Sequence, residues 1–159
     1  MKYLRKGLLV VLMVIAVCCG CSRNVPEEKD VPISDITAKL LSDLTWVDGP
    51  LYQLNETAVS KGYAFDGITL DGCEVYTAAT GSTAEEIAVV KRSDKKDISD
   101  VEEAMKTRID KKKKQFENYV PEEMYKLENA VISTHGNYAA LMICDEFDKA
   151  DEVFQGCFE

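Results

Sequence analysis

A nearly continuous apolar run at residues 138–144 (YAALMIC) constrains the fold of this chain more than any other segment. A short glycine-containing turn, His135-Gly136-Asn137, precedes it, and a β-rich run at residues 131–134 precedes the turn. Two such runs around a short turn predict a β-hairpin. A strand without polar alternation needs cover on both faces or on most of one. We therefore expect this strand at the centre of a sheet, with helices packed against it.

Periodic patterns elsewhere in the chain fit the same layered arrangement. In chain order they are a helix over residues 33–44 behind Ser34, a short helix capped by Asn55 and ending near Gly62, a strand at 73–79, a strand at 87–92, a long helix starting at Asp97 or Ser99, a helix opened by Pro121, and a final helix capped by Asp145. The predicted fold class is α+β, with an antiparallel or mixed sheet of about four strands, in two hairpins, packed with three to four helices.

The first 21 residues are typical of an export signal. Basic residues at positions 2, 5 and 6 precede an unbroken apolar run at residues 8–17, which is the arrangement of a secretory signal. The apolar segment is shorter than the roughly 20 residues that a spanning helix needs, so a transmembrane anchor is not expected. Residues 18–21 (CCGC) resemble a bacterial lipobox, in which a small residue precedes the cysteine that receives a diacylglyceryl group. The resemblance implies a lipidated Cys21 as the mature N-terminus, and plain secretion is the alternative.

This reading divides the chain into three parts. Residues 1–20 are the predicted lipoprotein signal, residues 21–32 the lipidated cysteine with a flexible polar tether, and residues 33–159 a single α+β domain. We expect the protein at the outer face of the cell membrane, with the lipid as its only membrane contact. Residues 1–20 contain three basic and no acidic residues, so their removal changes the formal charge from −9 to −12. Such an acidic domain is not expected to bind nucleic acid.

Cysteine and histidine usage indicates neither a metal site nor a cofactor. Beyond Cys21 the expected mature chain has Cys73, Cys144 and Cys157, an odd number for a disulfide framework. We interpret them as small buried hydrophobic residues, with a disulfide between Cys144 and Cys157 as the alternative. After Cys21 the chain has no CxxC motif, no HExxH motif occurs in it, and its single histidine, His135, is expected to be a polar turn residue. No catalytic residue, metal ligand or cofactor is assigned.

Residues 82–86 (STAEE) and the long helix hold the candidate binding residues. Glu85 and Glu86 are neighbours on a predicted strand and point to opposite faces, so they are not expected to act on one substrate as acid and base. We expect Glu85 to complete a cap on the turn at Ser82, and Glu86 to be solvated. Arg108 is expected to form an internal ion pair, because its planar guanidinium suits a fixed carboxylate. The possible binding surface comprises Ser82, Thr83, Glu85 and Arg108.

Two further groups of side chains have a structural and a functional interpretation. The lysines at residues 111–114 are interpreted as a solvated helix face, with the stem of Lys112 packed near the apolar stripe and its ammonium group in water. The functional alternative is recognition of a wall polymer or an acidic partner. Aromatic residues between Trp46 and Phe65 are expected to fill the core, and they are also the aromatic residues most suited to an exposed binding surface.

The order of these motifs resembles a family of small Gram-positive, mostly clostridial, lipoproteins that is catalogued as a domain of unknown function. The likeness covers roughly residues 45–154. It is carried by STAEEIAVVK at residues 82–91, Arg108, Gln115-Phe116, Tyr119 with Pro121-Glu122, and the strand pair around Gly136-Asn137-Tyr138. The resemblance implies a lipid-anchored domain and assigns no catalytic residue.

Together these patterns predict a cell-envelope lipoprotein with a non-catalytic binding or accessory domain, whose partner is an envelope protein or a wall polymer. One alternative is an envelope hydrolase that uses carboxylates distant in sequence and adjacent in space. Another is a structural subunit of a membrane assembly. A concave pocket that holds two or more carboxylates with raised pKa values would favour the hydrolase, and an apolar surface without such groups would favour the binding module.

Overall fold

The computed structural model describes residues 30–93 and 98–159. The predicted signal, Cys21, most of the tether and Asp97 lie outside the described residues. Within them the chain has the expected α+β fold, with five α-helices and one five-stranded sheet. The helices are α1 (Ile33–Asp43), α2 (Glu56–Gly62), α3 (Ser99–Phe116), α4 (Met124–Glu128) and α5 (Phe147–Gln155), and a 3-10 turn at Pro121–Glu123 precedes α4. The strands are β1 (Tyr52–Gln53), β2 (Leu70–Thr77), β3 (Glu86–Arg92), β4 (Val131–His135) and β5 (Tyr138–Ile143).

The sheet is antiparallel throughout, with strand order β1-β2-β3-β5-β4. The predicted hairpin of β4 and β5 is confirmed, and Gly136 in its turn has a φ of 56°, a conformation that glycine adopts without strain. All six residues of β5 are buried, as expected for an apolar strand that lies between β3 and β4. The uniform burial of β5 follows from helices on both faces of the sheet.

Side chains that alternate along the two central strands divide the core into two layers. Ile87 and Val89 of β3 pack with the buried residues of α1 and α5. Ala88 and Val90 pack on the opposite face with buried residues of α3 and α4. The period-two alternation of a strand produces this division, because successive side chains project to opposite faces. The domain therefore has three layers: α1 and α5, the sheet, and α2, α3 and α4.

Several local predictions are confirmed and others need correction. Asn55 caps α2, because its Oδ1 accepts a hydrogen bond from the Ala58 amide at 2.9 Å. Ser34 is not a cap, since α1 already begins at Ile33, and Asp145 is not the cap of α5, whose cap position is Glu146. The sheet has five strands where about four were predicted, because β1 has two residues and is too short to show alternation. The five helices correspond to the five helical patterns of the sequence, although only three to four were expected to pack on the sheet.

The cysteines and the histidine are also placed. Cys73, Cys144 and Cys157 are free thiols, so the alternative disulfide is not formed, and only Cys144 is fully buried. His135 is not in the turn: it is the last residue of β4 and pairs with Tyr138, which leaves two residues for the turn. Its ring stacks on Phe158 with centroids 4.0 Å apart. Of the helices in the described ranges, none has both the length and the apolar character that crossing a membrane requires.

Candidate functional site

A fully buried carboxylate, Glu86, forms the centre of a charged cluster between β3 and α3. Arg108 holds it with two hydrogen bonds, from Nε to Oε1 at 2.8 Å and from Nη2 to Oε2 at 2.6 Å. The ammonium group of Lys112 lies 3.1 Å from Oε2, and the Tyr63 hydroxyl donates to Oε1 at 2.6 Å. The internal ion pair predicted for Arg108 is confirmed. The predicted solvation of Glu86 is wrong, because the side chain has no exposed surface.

The charge state of this cluster follows from its contacts. Burial alone would raise the pKa of Glu86, but the Arg108 hydrogen bonds and the charges of Lys112 and Arg108 lower it to about 2. Burial lowers the pKa of Lys112, which is 4% exposed, although Glu86 opposes that shift. Burial and the neighbouring Glu86 raise the pKa of the Tyr63 hydroxyl well above its usual value. Glu86 is therefore ionised at neutral pH and fully occupied by internal partners.

The adjacent Glu85 is equally buried and has separate partners. Both of its carboxylate oxygens accept from the Val47 amide at 3.1 Å, and Oε1 lies 3.3 Å from the ammonium group of Lys126. Lys126 in turn lies 3.1 Å from Glu123 and 3.6 Å from Asp145. The expected cap of the Ser82 turn by Glu85 is therefore wrong, because its side chain instead fixes the loop before β1. As predicted, the two neighbouring glutamates do not share a site.

The four residues of the possible binding surface do not form an open surface together. Ser82 is exposed, and its hydroxyl is hydrogen-bonded to Asp48 and to Thr80. Thr83 is buried and its Oγ1 accepts from the Glu85 amide at 3.0 Å. Glu85 has no exposed surface, and the Arg108 side chain, 15% exposed, is held by Glu86. Of the four, only Ser82 is readily accessible, because the fold uses the other three in its own contacts.

The basic run on α3 also divides into exposed and buried members. Lys111 and Lys114 are exposed and Lys113 is half-buried. The ammonium group of Lys112 does not reach water, contrary to expectation, but contacts Glu86. A signal for this exists in the sequence, since Lys112 lies in the apolar stripe of the helix, three residues after Ile109 and four before Phe116. A lysine at such a position needs an acidic partner inside the fold.

A groove of about 760 Å³ lies beside the outer edge of β2. We call it the edge groove. Its lining residues are Ile33, Gln53, Leu54, Asn55, Glu56, Val59, Ser60, Phe65, Leu70, Gly72, Cys73 and Glu74. Among these Glu56 and Glu74 are acidic and none is basic, so the charged side chains of the lining are all negative. The Glu74 carboxylate accepts a hydrogen bond from Thr37 at 2.6 Å. The walls are largely apolar, as is common for a ligand-binding cleft.

Cys73 lies in this groove, and its thiol is not prepared for nucleophilic chemistry. Burial, with a smaller contribution from the charge of Glu74, raises the pKa of the Cys73 thiol to about 11. A thiol in that state is protonated at neutral pH, and the thiolate is the reactive form. In the described ranges no group of three or more histidine, cysteine or acidic residues has an arrangement that could hold a metal ion. The groove therefore offers surface and backbone contacts to a ligand.

The family model described as "Domain of unknown function (DUF4358)" matches residues 47–144 of this chain. The chain belongs to this family. Neither the comparison with curated proteins nor the comparison with solved structures finds a match. The span of the family domain includes all five strands, both buried glutamates and every residue of the edge groove except Ile33. Helices α1 and α5 lie outside the matched span, so the family domain is the sheet together with the helices of one face.

Sequence reasoning did not find the edge groove in the family domain. Its lining comes from α1, β1, α2, the following loop and β2, and several of these segments lack a clear periodic pattern. The one available signal was the aromatic content between Trp46 and Phe65. Phe65 does line the groove, while Tyr63 is buried against Glu86 and the Trp46 indole donates to the Leu41 carbonyl at 3.1 Å.

Proposed function

We propose that this protein is a cell-envelope lipoprotein whose family domain is a non-catalytic binding module, and that the edge groove is its ligand site. The observation that carries the proposal is the groove itself. It combines a volume of about 760 Å³, apolar walls and a partly uncovered strand edge. Binding clefts for peptides and small ligands have this composition, with few polar groups to fix orientation.

The states of the titratable groups support binding over hydrolysis. A hydrolase that uses two carboxylates needs one of them protonated near neutral pH and both of them accessible to substrate. Glu86 is ionised, with a pKa of about 2, and Glu85 is buried against Lys126. In the edge groove, Glu74 is held by Thr37 and Cys73 is a protonated thiol. None of these described groups is arranged as an acid and base pair.

The membrane anchor in the proposal rests on the lipobox that ends at Cys21. The described chain begins at Asp30, where the Lys91 ammonium group pairs with the Asp30 carboxylate at 2.5 Å. The Tyr138 hydroxyl lies 2.6 Å from the Asp30 carboxylate and 2.9 Å from the Val31 carbonyl, and it accepts from the Val31 amide at 3.1 Å. Eight residues lie between Cys21 and Asp30, which gives a reach of at most about 30 Å. An anchor at Cys21 would therefore keep the domain close to the membrane surface, where it would bind envelope components.

Two measurements test the membrane anchor. Lipidation predicts that the intact mass of the mature protein includes acyl chains, and that Cys21→Ala moves the protein from the membrane to the soluble fraction. An unmodified Cys21 would contradict the anchor.

The ligand site is tested with a photocrosslinking amino acid at Gln53, which is exposed and lines the edge groove. The matched control position is Asp148, which is exposed on α5, a helix that packs on β4 and β5 at the other edge of the sheet. We expect a crosslinked envelope component from position 53 in living cells and none from position 148. Equal labelling from both positions, or none from position 53, would refute the groove as the ligand site.

A further inference from the structure

We infer that the edge groove binds an extended, basic peptide segment of a partner protein, which adds a strand to β2 beyond the end of β1. The inference rests on the proposed function and specifies the ligand class of the same groove. It is carried by the backbone of β2, by the two walls of the groove and by the charge of the lining.

The backbone geometry leaves part of the outer edge of β2 without a partner strand. β1 covers only two positions, Thr77 and Tyr76, and next to them the Leu54 amide donates to the Val75 carbonyl at 2.8 Å. In an antiparallel strand, residues two apart direct their N–H and C=O groups to the same side. The Cys73 N–H and C=O groups therefore point to the same outer edge as the Val75 carbonyl. No residue of β1 pairs with Cys73, so these groups are available to an added strand.

The walls of the groove lie on both sides of this open edge. Val59 and Phe65 pack against the core cluster on the α3 face of the sheet, whereas Ile33 packs against the cluster on the α1 face. Gly72 permits this position of Ile33, because a Cβ atom at residue 72 would lie 2.7 Å from the Ile33 Cδ1 atom. A strand projects alternate side chains to opposite faces. A peptide strand paired with β2 would therefore place successive side chains against the two walls.

Charge distinguishes a basic peptide from a second copy of this chain. The lining contains two acidic residues, Glu56 and Glu74, and no basic residue, and Asp71 is exposed at the same end of β2. Two copies paired through their β2 edges would bring these carboxylates together, and the chain as a whole has a formal charge of −9. Like charges across a strand pair are destabilising, and opposite charges are stabilising. Lysine or arginine at one or more positions of the added strand complements this edge.

The test selects octapeptides from a random display library on the full-length mature protein. Apolar residues at alternate positions, with lysine or arginine among the rest, are expected in the enriched peptides. Each enriched peptide is then synthesised with a single N-methyl group at each amide in turn. Strand addition predicts that affinity falls about tenfold at the one amide that donates to the Cys73 carbonyl and little at its two neighbours, whose N–H groups point away from β2. A uniform effect at all amides, or no effect, would overturn the inference.

Two matched variants locate the binding. Ser60 and Ser42 are both exposed helix serines whose hydroxyl donates to the carbonyl three residues earlier at 3.0 Å, but only Ser60 lines the edge groove. Ser60→Trp is expected to fill the groove and weaken peptide binding at least about tenfold, whereas Ser42→Trp leaves it unchanged. Enriched peptides that bind both variants equally, or no enrichment, would refute peptide binding here. A crosslink from Gln53 to a non-peptide component would then leave the proposed function standing without this inference.

Discussion

Substitution of Glu86 by glutamine tests the buried charge cluster most directly. Glutamine keeps the shape of the side chain and removes its charge, so Arg108 and Lys112 would lie side by side without a counter-ion. Removal of one partner from a buried ion pair costs about 3–5 kcal/mol, because an uncompensated charge stays in the interior. A large loss of stability is therefore expected although the substitution is nearly isosteric.

The pKa of Glu86 gives an independent magnitude and a pH dependence. Its value of about 2 in the fold, against 4.5 for an unperturbed glutamate, corresponds to about 3 kcal/mol of stabilisation at pH 7. Because the folded pKa is depressed, this stabilisation is fully present above pH 4.5 and is lost as the pH falls towards 2. At pH 3 roughly half or less of it remains.

Urea unfolding of the mature chain at pH 7 and at pH 3 measures both quantities. We expect Glu86→Gln to lower the free energy of unfolding by about 3 kcal/mol at pH 7 and by about half of that at pH 3. Glu103→Gln on α3 is the control, since Glu103 is exposed, and it should change stability by less than about 0.5 kcal/mol. A loss below about 1 kcal/mol at pH 7, or an equal loss at both pH values, would refute the assignment of an ionised, paired Glu86.

Three further outcomes follow from other contacts. Lys126→Met leaves Glu85 buried without its cation and should cost about 3 kcal/mol in urea unfolding; a cost near zero would contradict a charged pair. Burial raises the thiol pKa values of Cys73 and Cys144 to about 11, so both should react with iodoacetamide at pH 8 about 100-fold more slowly than unfolded protein, as measured by intact mass. Fast labelling of the folded chain would refute this. Gly136→Ala forces a φ of 56° on alanine and should lower the free energy of unfolding by about 1 kcal/mol. Thermal unfolding measures this change, and an unchanged stability would contradict the prediction.

The regular parts of the fold could be predicted from the sequence because their patterns are long enough to read. The nearly continuous apolar sequence of β5 predicts a place at the sheet centre, and all six residues of the strand are buried. The partner of Arg108 was predicted only as an acidic residue. Its identity as Glu86 depends on how α3 crosses β3, and residues 22 positions apart are brought together by tertiary packing that no local period encodes.

The parts that were missed are those whose environment arises from several segments. Glu86 was expected in solvent because a glutamate is rarely buried without a partner, and here the partners come from α3 and from Tyr63. β1 has only two residues, so it has no pattern of its own and is defined by its pairing with β2. The edge groove exists because β1 ends after two residues. The shortness of β1 therefore explains why neither this strand nor the groove beside it was predicted.

The open edge of β2 poses a problem that the proposed ligand resolves. An uncovered strand edge can pair with other chains, and proteins protect such edges with charges and irregular pairing. Asp71 and Glu74 supply the charges here, and the register shift between Leu70 and Gly72 supplies the irregularity. Protection alone does not explain the apolar walls on both sides of the edge, because polar walls would prevent pairing with other chains more effectively. An acidic edge between apolar walls instead repels a second acidic copy and favours a basic strand, which is how one surface achieves specificity through both repulsion and attraction.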